Sequence, residues 1–218
     1  MFEFAKANPN DRNALDALTK ALWVVNTVPW PVELVGEEPA RAGALAQIVR
    51  DHIASATLGP LCQRVSYGFC QEYEPFLRAV LEKNPDRSVR GIACVSLAHF
   101  LHARAQRVEL CREDHAAAKE FAGLCGNEYL LALLARDPAK SMAEIEGLLA
   151  RAAGEYGDVV DASGSKVGDR AALELFNIRN LAIGREAPYI EGEDQDGRRF
   201  KLSDYRGKVV FLDFWSYV

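Results

Sequence analysis

Thiols and imidazoles are the side chains of this chain best suited to chemistry, and their spacing decides which reactions they could join. Cys62, Cys70, Cys94, Cys111 and Cys125 are odd in number and contain no Cys-x-x-Cys pair. That pattern argues against a disulfide framework and against a dithiol redox motif among these residues. The reading favoured is five small core residues, with a redox-sensitive thiol as the competitor. Cys62 and Cys70 are eight residues apart; on one continuous helix they would share a face but sit too far apart along the axis to bond. His99 and His102 are three apart and would share a helix face, with Cys111 and His115 further on. Zinc wants such nitrogen and sulfur ligands. The spacing is loose and no carboxylate is fixed beside the imidazoles, so no metal site is assigned. Glu191, Glu193, Asp194 and Asp196 offer oxygens that suit calcium, but they fall across a turn, and a solvated loop is the reading favoured. No Ser-His-Asp order, Walker loop or Gly-x-Gly-x-x-Gly occurs, so phosphate binding and triad hydrolysis find no support. On residue types alone, no catalytic, cofactor-binding or metal-binding residue is assigned, and no cofactor is expected.

These residues need elements to hold them, and the periodicity predicts helices. Leu15, Leu18, Leu22 and Val25 open an apolar repeat at helical spacing; Ala42, Leu45, Val49 and Ile53 continue it, followed by Leu61, Val65 and Phe69. Tyr73, Phe76, Leu77, Val80 and Leu81 mark the next helix. Another is predicted over Ser88 to about Ala105, burying Val89, Ile92, Ala93, Leu97, Phe100 and Leu101, with one or two helices continuing to Ala135. Met142, Ile145, Leu148, Leu149, Ala152 and Tyr156 mark a further helix. A Gly/Ser/Asp-rich loop follows from Gly157 to Gly168, then a last helix from about Arg170 to Leu181. Breakers stand at Val28-Pro29-Trp30-Pro31, Leu58-Gly59-Pro60, Asn84-Pro85-Asp86 and Asp137-Pro138. Short helices joined by proline turns predict a mainly α fold, an array of helix pairs in the manner of tetratricopeptide or HEAT repeats. No fixed period emerges. Asn8-Pro9-Asn10-Asp11-Arg12 and Asn84-Pro85-Asp86-Arg87 echo each other at a separation that is not a multiple of about 34. Trp23, Trp30 and Trp215 are the large aromatics; Trp30, between two prolines, either offers its ring to a partner or packs over a loop.

Beyond the helices the pattern changes. Gly184 can close a helix, Pro188 bars one, and Tyr189 and Ile190 begin an extended run. Asp196-Gly197 suits a tight two-residue turn, with Phe200 and Leu202 alternating on the returning strand, so a hairpin is predicted over roughly Tyr189 to Leu202. Ser203 to Lys208 reads as a loop. Val209 to Trp215 is a nearly unbroken apolar run of the kind found in strands buried on both faces of an α/β sheet.

In this order the pieces closely resemble the opening of redoxins: the TlpA-like thiol:disulfide oxidoreductases and the neighbouring alkyl hydroperoxide reductase/thiol-specific antioxidant family. The resemblance is carried by Ala187, Pro188, Gly192, Asp194, Asp196, Gly197, Leu202, Ser203, Asp204, Tyr205, Gly207, Lys208, Val209, Val210, Phe214 and Trp215. It implies a thioredoxin-like α/β domain beginning at 183, preceded by a helical accessory domain over 1–182. A weaker likeness to a bacterial subset of the family extends into the helices through GPLCQRVSYG, EPFLRAVLEKNP and LFNIRNLAIGREAP. In redoxins this strand leads into Trp-Cys-x-x-Cys at a helix N-terminus, where the thiol pKa falls and a thiolate nucleophile forms. By position that cysteine is expected one residue past Val218, so no catalytic residue of the family is carried over. The chain is then expected to be a truncated, inactive front part of an antioxidant or disulfide-reducing oxidoreductase. Trp215 would shape the redoxin site without reacting.

Composition bounds the alternatives. The 218 residues are 49% apolar with a net charge of −5. From Ile183 onward there are 6 Lys+Arg against 7 Asp+Glu, so neither part carries the basic excess of a nucleic-acid binder. No apolar stretch approaches the ~20 residues of a membrane span. MFEFAKANPN has no signal-peptide pattern, so the chain as written is expected in the cytoplasm. Because redoxins of this type are commonly exported, an exported, periplasmic location is expected if the native N-terminus lies upstream. Phe2 to Ala7 fits the end of a helix already under way. A protein partner or thiol/disulfide substrate protein is expected to dock on the helices. The competing function is a non-enzymatic helical scaffold for protein–protein interaction, with the terminal strands as a relic. Leaving the side chains of Val209 to Trp215 in water would forfeit on the order of 10 kcal/mol, so that tail is expected to be packed, paired between chains, or aggregation-prone.

Overall fold

Asp86 starts the longest helix: its extended backbone turns the carboxylate onto the amides of Ser88 and Val89, satisfying two donors that the first turn leaves open. The computed structural model of the chain describes residues 2–9, 11, 13–26, 38–182, 184–194 and 196–213. Among these, ten α-helices run in order: α1 Phe2–Ala7, α2 Ala14–Asn26, α3 Glu38–Asp51, α4 Gly59–Val65, α5 Tyr73–Lys83, α6 Arg87–Glu113, α7 His115–Cys125, α8 Asn127–Leu134, α9 Pro138–Tyr156 and α10 Val167–Asn180. A two-stranded sheet and a short 3-10 helix follow: β1 Glu191–Glu193, β2 Arg199–Lys201 and Leu202–Tyr205. The protein is mainly helical, and none of these helices is long and apolar enough to cross a membrane.

The chain divides into two units, Met1–Leu175 and Phe176–Val218, with the division inside α10. In the first unit, 27-residue α6 is the hub on which α4, α5, α7, α8 and α9 pack. The apolar stripe expected on it is buried throughout: Val89, Ile92, Ala93, Leu97, Phe100 and Leu101. On α5, Tyr73, Phe76, Leu77, Val80 and Leu81 are all buried, each contributing roughly 1.5 to 3 kcal/mol of transfer free energy. Gly91 lets α9 approach: a Cβ there would lie 2.8 Å from Tyr156 Cβ. A smaller cluster of Val108, Cys111, Phe121, Leu130 and Leu133 joins α6 to α7 and α8.

Several boundaries differ from those expected of the sequence. Pro60 and Pro138 stand in the first turns of α4 and α9, where a missing N–H does no harm, so two of the breakers also begin helices. Helix α3 ends at Asp51 and α4 at Val65, leaving Ile53 and Phe69 beyond them. Cys62 and Cys70 therefore do not share a continuous helix. The single helix α6 runs on through Glu113, past the expected end near Ala105, because apolar positions persist to Val108 and Cys111. The Gly157 to Gly168 loop is organised by Asp161, whose carboxylate accepts from Ser163 N (2.8 Å), Ser163 Oγ (2.6 Å) and Ser165 N (3.1 Å). Trp30, Trp215 and the Val28–Pro31 breaker lie outside the described residues; Trp23 sits on α2.

In the second unit, the expected hairpin forms with Glu191 opposite Lys201, Gly192 opposite Phe200 and Glu193 opposite Arg199. Its turn is longer than the two-residue form expected. Asp194 closes it, its N–H donating to Arg198 O at 2.9 Å and its Oδ1 accepting from Asp196 N and Arg198 N at 2.9 and 2.8 Å. Gly197 takes the left-handed conformation, φ 75°. Val209 to Asp213, expected within a strand, has no regular structure among the described residues. A strand buried on both faces needs neighbours on each side, and one hairpin cannot supply them.

Candidate functional site

The redox candidates can be weighed from their surroundings. Cys62, Cys94 and Cys111 are buried and Cys70 and Cys125 partly so; all five are free thiols. Burial pushes the Cys62 thiol far up, and the Cys94 and Cys125 thiols up to about 11. Cys111 is raised for the same reason. Cys94 Sγ donates to Leu148 O at 3.4 Å. A thiol held this way stays protonated at neutral pH and is a poor nucleophile. Cys111 and Cys125 pack in the α6–α8 cluster.

The two histidines on α6 do share a face, and a carboxylate does stand beside them, contrary to the sequence reading. Glu174 of α10 receives His99 Nδ1 at 2.6 Å on one oxygen and His102 Nδ1 at 3.3 Å on the other. The carboxylate can only accept, so each ring donates its Nδ1–H. Hydrogen bonds from His102 and His99 hold the Glu174 carboxyl down to about 2. Tyr67 lies against His99, ring centroids 4.8 Å apart. Cys111 is nine residues beyond His102 on the same helix, about 13 Å along the axis, and does not join the pair. No group of three or more His, Cys, Asp or Glu residues among those described is arranged to hold a metal ion. Nothing in the local sequence marks Glu174; only the three-residue spacing of the histidines hinted at a shared partner.

Glu74 on α5 is the hub of a second polar cluster that sequence reasoning missed. Arg104, 4% exposed, binds it from α6, and Arg78 binds it at 2.7 Å while also reaching Glu144 on α9 at 2.6 Å. Arg104 also donates to Tyr129 Oη at 3.0 Å. Burial pushes the Glu74 carboxyl up, and the hydrogen bonds from Arg104 and Arg78 more than reverse that, leaving it below its ordinary value. The cluster links α5, α6 and α9 through these charge-assisted bonds.

On the hairpin, Glu191, Glu193, Asp194 and Asp196 are not gathered onto one point. Glu191 accepts from the Tyr189 hydroxyl, Glu193 pairs with Arg199 at 3.5 Å, and Asp194 is taken up by the turn amides. Phe200 faces Gly192, where a Cβ would touch the ring at 3.4 Å, and packs edge-on to Tyr205 at 6.5 Å.

Thiol-disulfide oxidoreductase ResA of Geobacillus thermodenitrificans (strain NG80-2) is 50% identical to this chain over 36 residues, 16% of this chain and 21% of that protein. This chain carries a short redoxin-like region. The ResA of Bacillus subtilis (strain 168) is 46% identical over 37 residues, 17% of this chain and 21% of that protein. The ResA of Bacillus cereus (strain ATCC 10987 / NRS 248) is 44% identical over 36 residues, again 16% and 21%. The chain thus spans about a fifth of the length of the curated relatives it matches. No protein-family model matches the chain, and no solved structure matches it. None of the five cysteines falls after Cys125.

Proposed function

We propose that residues 183–218 open a thioredoxin-like domain, and that the protein is a thiol-disulfide oxidoreductase whose redox cysteines lie outside residues 1–218. The observation that carries this reading is the 44 to 50% identity over 36 residues to proteins named thiol-disulfide oxidoreductase. The redoxin pattern itself is read in the sequence over 183–218. The hairpin between Glu191 and Lys201 and the apolar run after it follow the order that such a domain requires. In the reaction, a cysteine thiolate attacks one sulfur of a substrate disulfide and expels the other as a thiolate; a second cysteine then resolves the mixed disulfide. The helices of 1–182 act as an accessory domain that docks the substrate protein or partner.

The protonated thiols at Cys62 and Cys94, both buried, and at partly buried Cys125 favour a second reading for residues 1–218 taken alone, a helical scaffold without redox activity. Expression from the coding sequence through its stop codon separates the two readings. The oxidoreductase reading expects a Trp-Cys-x-x-Cys segment and reduction of insulin disulfides by the full product, with residues 1–218 alone no better than their five-Cys→Ser variant. A full product without that segment, or one that consumes peroxide through a single cysteine and leaves insulin intact, would overturn it.

A further inference from the structure

We propose that the cavity between α7 and α8 binds a small carboxylate, a monoanion carrying a short apolar body. The cavity is a groove open to solvent, about 470 Å³ in volume, lined by His115, Ala118, Lys119 and Ala122 of α7 with Asn127 and Leu130 of α8. Its floor is apolar and firmly backed. Leu130 is 5% exposed, and Ala118 and Ala122 pack against the same cluster as Phe121 and Leu133.

The ionisable groups that line it are cationic or neutral, never acidic. His115 and Lys119 are four residues apart on α7 and so occupy one side of the helix. Neither has a hydrogen-bond or ion-pair partner among the described residues. Asp114 precedes the stretch, and Glu120 and Glu128 fall within it in sequence, but none of the three lines the cavity. Of these, Asp114 is already engaged, accepting from Ala116 N at 2.7 Å as the cap of α7. An ammonium without a carboxylate partner at the exposed rim of an apolar floor favours a carboxylate over a neutral polar group, through a charge-assisted bond whose apolar neighbour takes up the body of the acid. Asn127 adds an amide that can donate to the second carboxylate oxygen. The same chemistry is offered by a free short-chain acid and by the last residue of a peptide.

Amide chemical shifts of the ¹⁵N-labelled chain, titrated with three probes, test the site and separate the sources. The probes are 4-methylpentanoate (a free acid), N-acetyl-leucine (a peptide end) and N-acetyl-leucinamide (the same body without charge). The expected result is shifts confined to residues 115–130 with at least one of the two acids, and about tenfold weaker binding of the amide. Lys119→Gln is expected to weaken the acid about fivefold, whereas Lys140→Gln on α9 leaves it unchanged. Lys119 is exposed, so the variant is expected to unfold at the wild-type temperature, which distinguishes lost binding from lost folding. Binding by 4-methylpentanoate assigns a free acid, and binding by N-acetyl-leucine alone assigns a peptide end. The proposal is overturned by an amide that binds as tightly as the acids, by shifts centred elsewhere, or by no shift with any probe up to about 10 mM, where even a weak fit should register.

Discussion

His99 and Glu174 meet at 2.6 Å although 75 residues separate them in sequence. With His102 on the other carboxylate oxygen, the contact ties α10 to the central helix one residue before the chain divides into its two units. The tie is electrostatic as well as geometric, since both imidazoles hold the Glu174 carboxyl down to about 2 against an ordinary 4.5.

That depression has a sign. A carboxyl lowered on folding stabilises the native state above its unfolded pKa and loses the contribution as pH falls toward the folded value. Stability from Glu174 is therefore fully present above about pH 4.5 and is lost between 4.5 and 2. Glu174→Gln is expected to lower unfolding free energy at pH 7 by about 1 to 2 kcal/mol, discounted for its partial exposure. Near pH 2 the gap between variant and wild type closes. Urea denaturation at the two pH values reads both; a gap that does not depend on pH would assign the tie to packing alone.

Buried Arg104 and partly buried Glu74 form a pair whose halves depend on each other. Glu74→Ala leaves Arg104 with a buried uncompensated charge and is expected to cost about 3 kcal/mol. Replacing both, as Glu74→Met with Arg104→Met, is expected to recover at least half of that loss. Chemical denaturation of the two single variants and the double variant closes the cycle, and additive losses would mean that the pair is not coupled.

Gly91 and Gly147 should respond to alanine in opposite directions. At Gly91 the new methyl meets Tyr156 at 2.8 Å, and overpacking of the α6–α9 contact is expected to cost about 1 to 3 kcal/mol. At Gly147, inside α9, no atom lies within 4 Å of the new methyl, and Gly147→Ala is expected to add about 0.5 to 1 kcal/mol through helix propensity. Thermal melts of the two variants make the comparison.

The raised thiol pKa values give a kinetic prediction. With Cys94 and Cys125 pushed up to about 11 and Cys62 higher, alkylation of these three by iodoacetamide at pH 7.5 is expected to be far slower than that of an ordinary thiol near 8.5. Unfolding in guanidinium should bring all three to the free rate. Peptide mapping after timed labelling reads each cysteine separately, and fast labelling of Cys125 in the folded chain would restore it as a redox candidate.

The local pattern was sufficient for the helices and the hairpin because both rest on short-range physics. Apolar spacing placed the buried sides of α5 and α6, and Asp196-Gly197 marked a turn, whereas Asp86 and Asp137, read only as parts of breakers, proved to be the residues that cap α6 and α9. The turn came out longer because Asp194, two residues earlier, outcompetes a two-residue closure by accepting from two backbone amides. The continuation of α6 to Glu113 was missed because its last apolar positions are sparse, and packing against α7 and α8 decides the matter.

The amino-acid order by itself determined a mainly helical protein with a redoxin-like stretch and no dithiol pair, because periodicity, turn chemistry and motif spacing act within a few residues of each other. Only the tertiary structure decided which distant groups meet. It set Glu174 against two histidines, Glu74 among arginines from α5 and α6, and Lys119 and His115 beside an apolar floor on α8. Such meetings depend on how whole helices pack, and packing responds to shape and burial summed over the fold, which no local run of residues encodes.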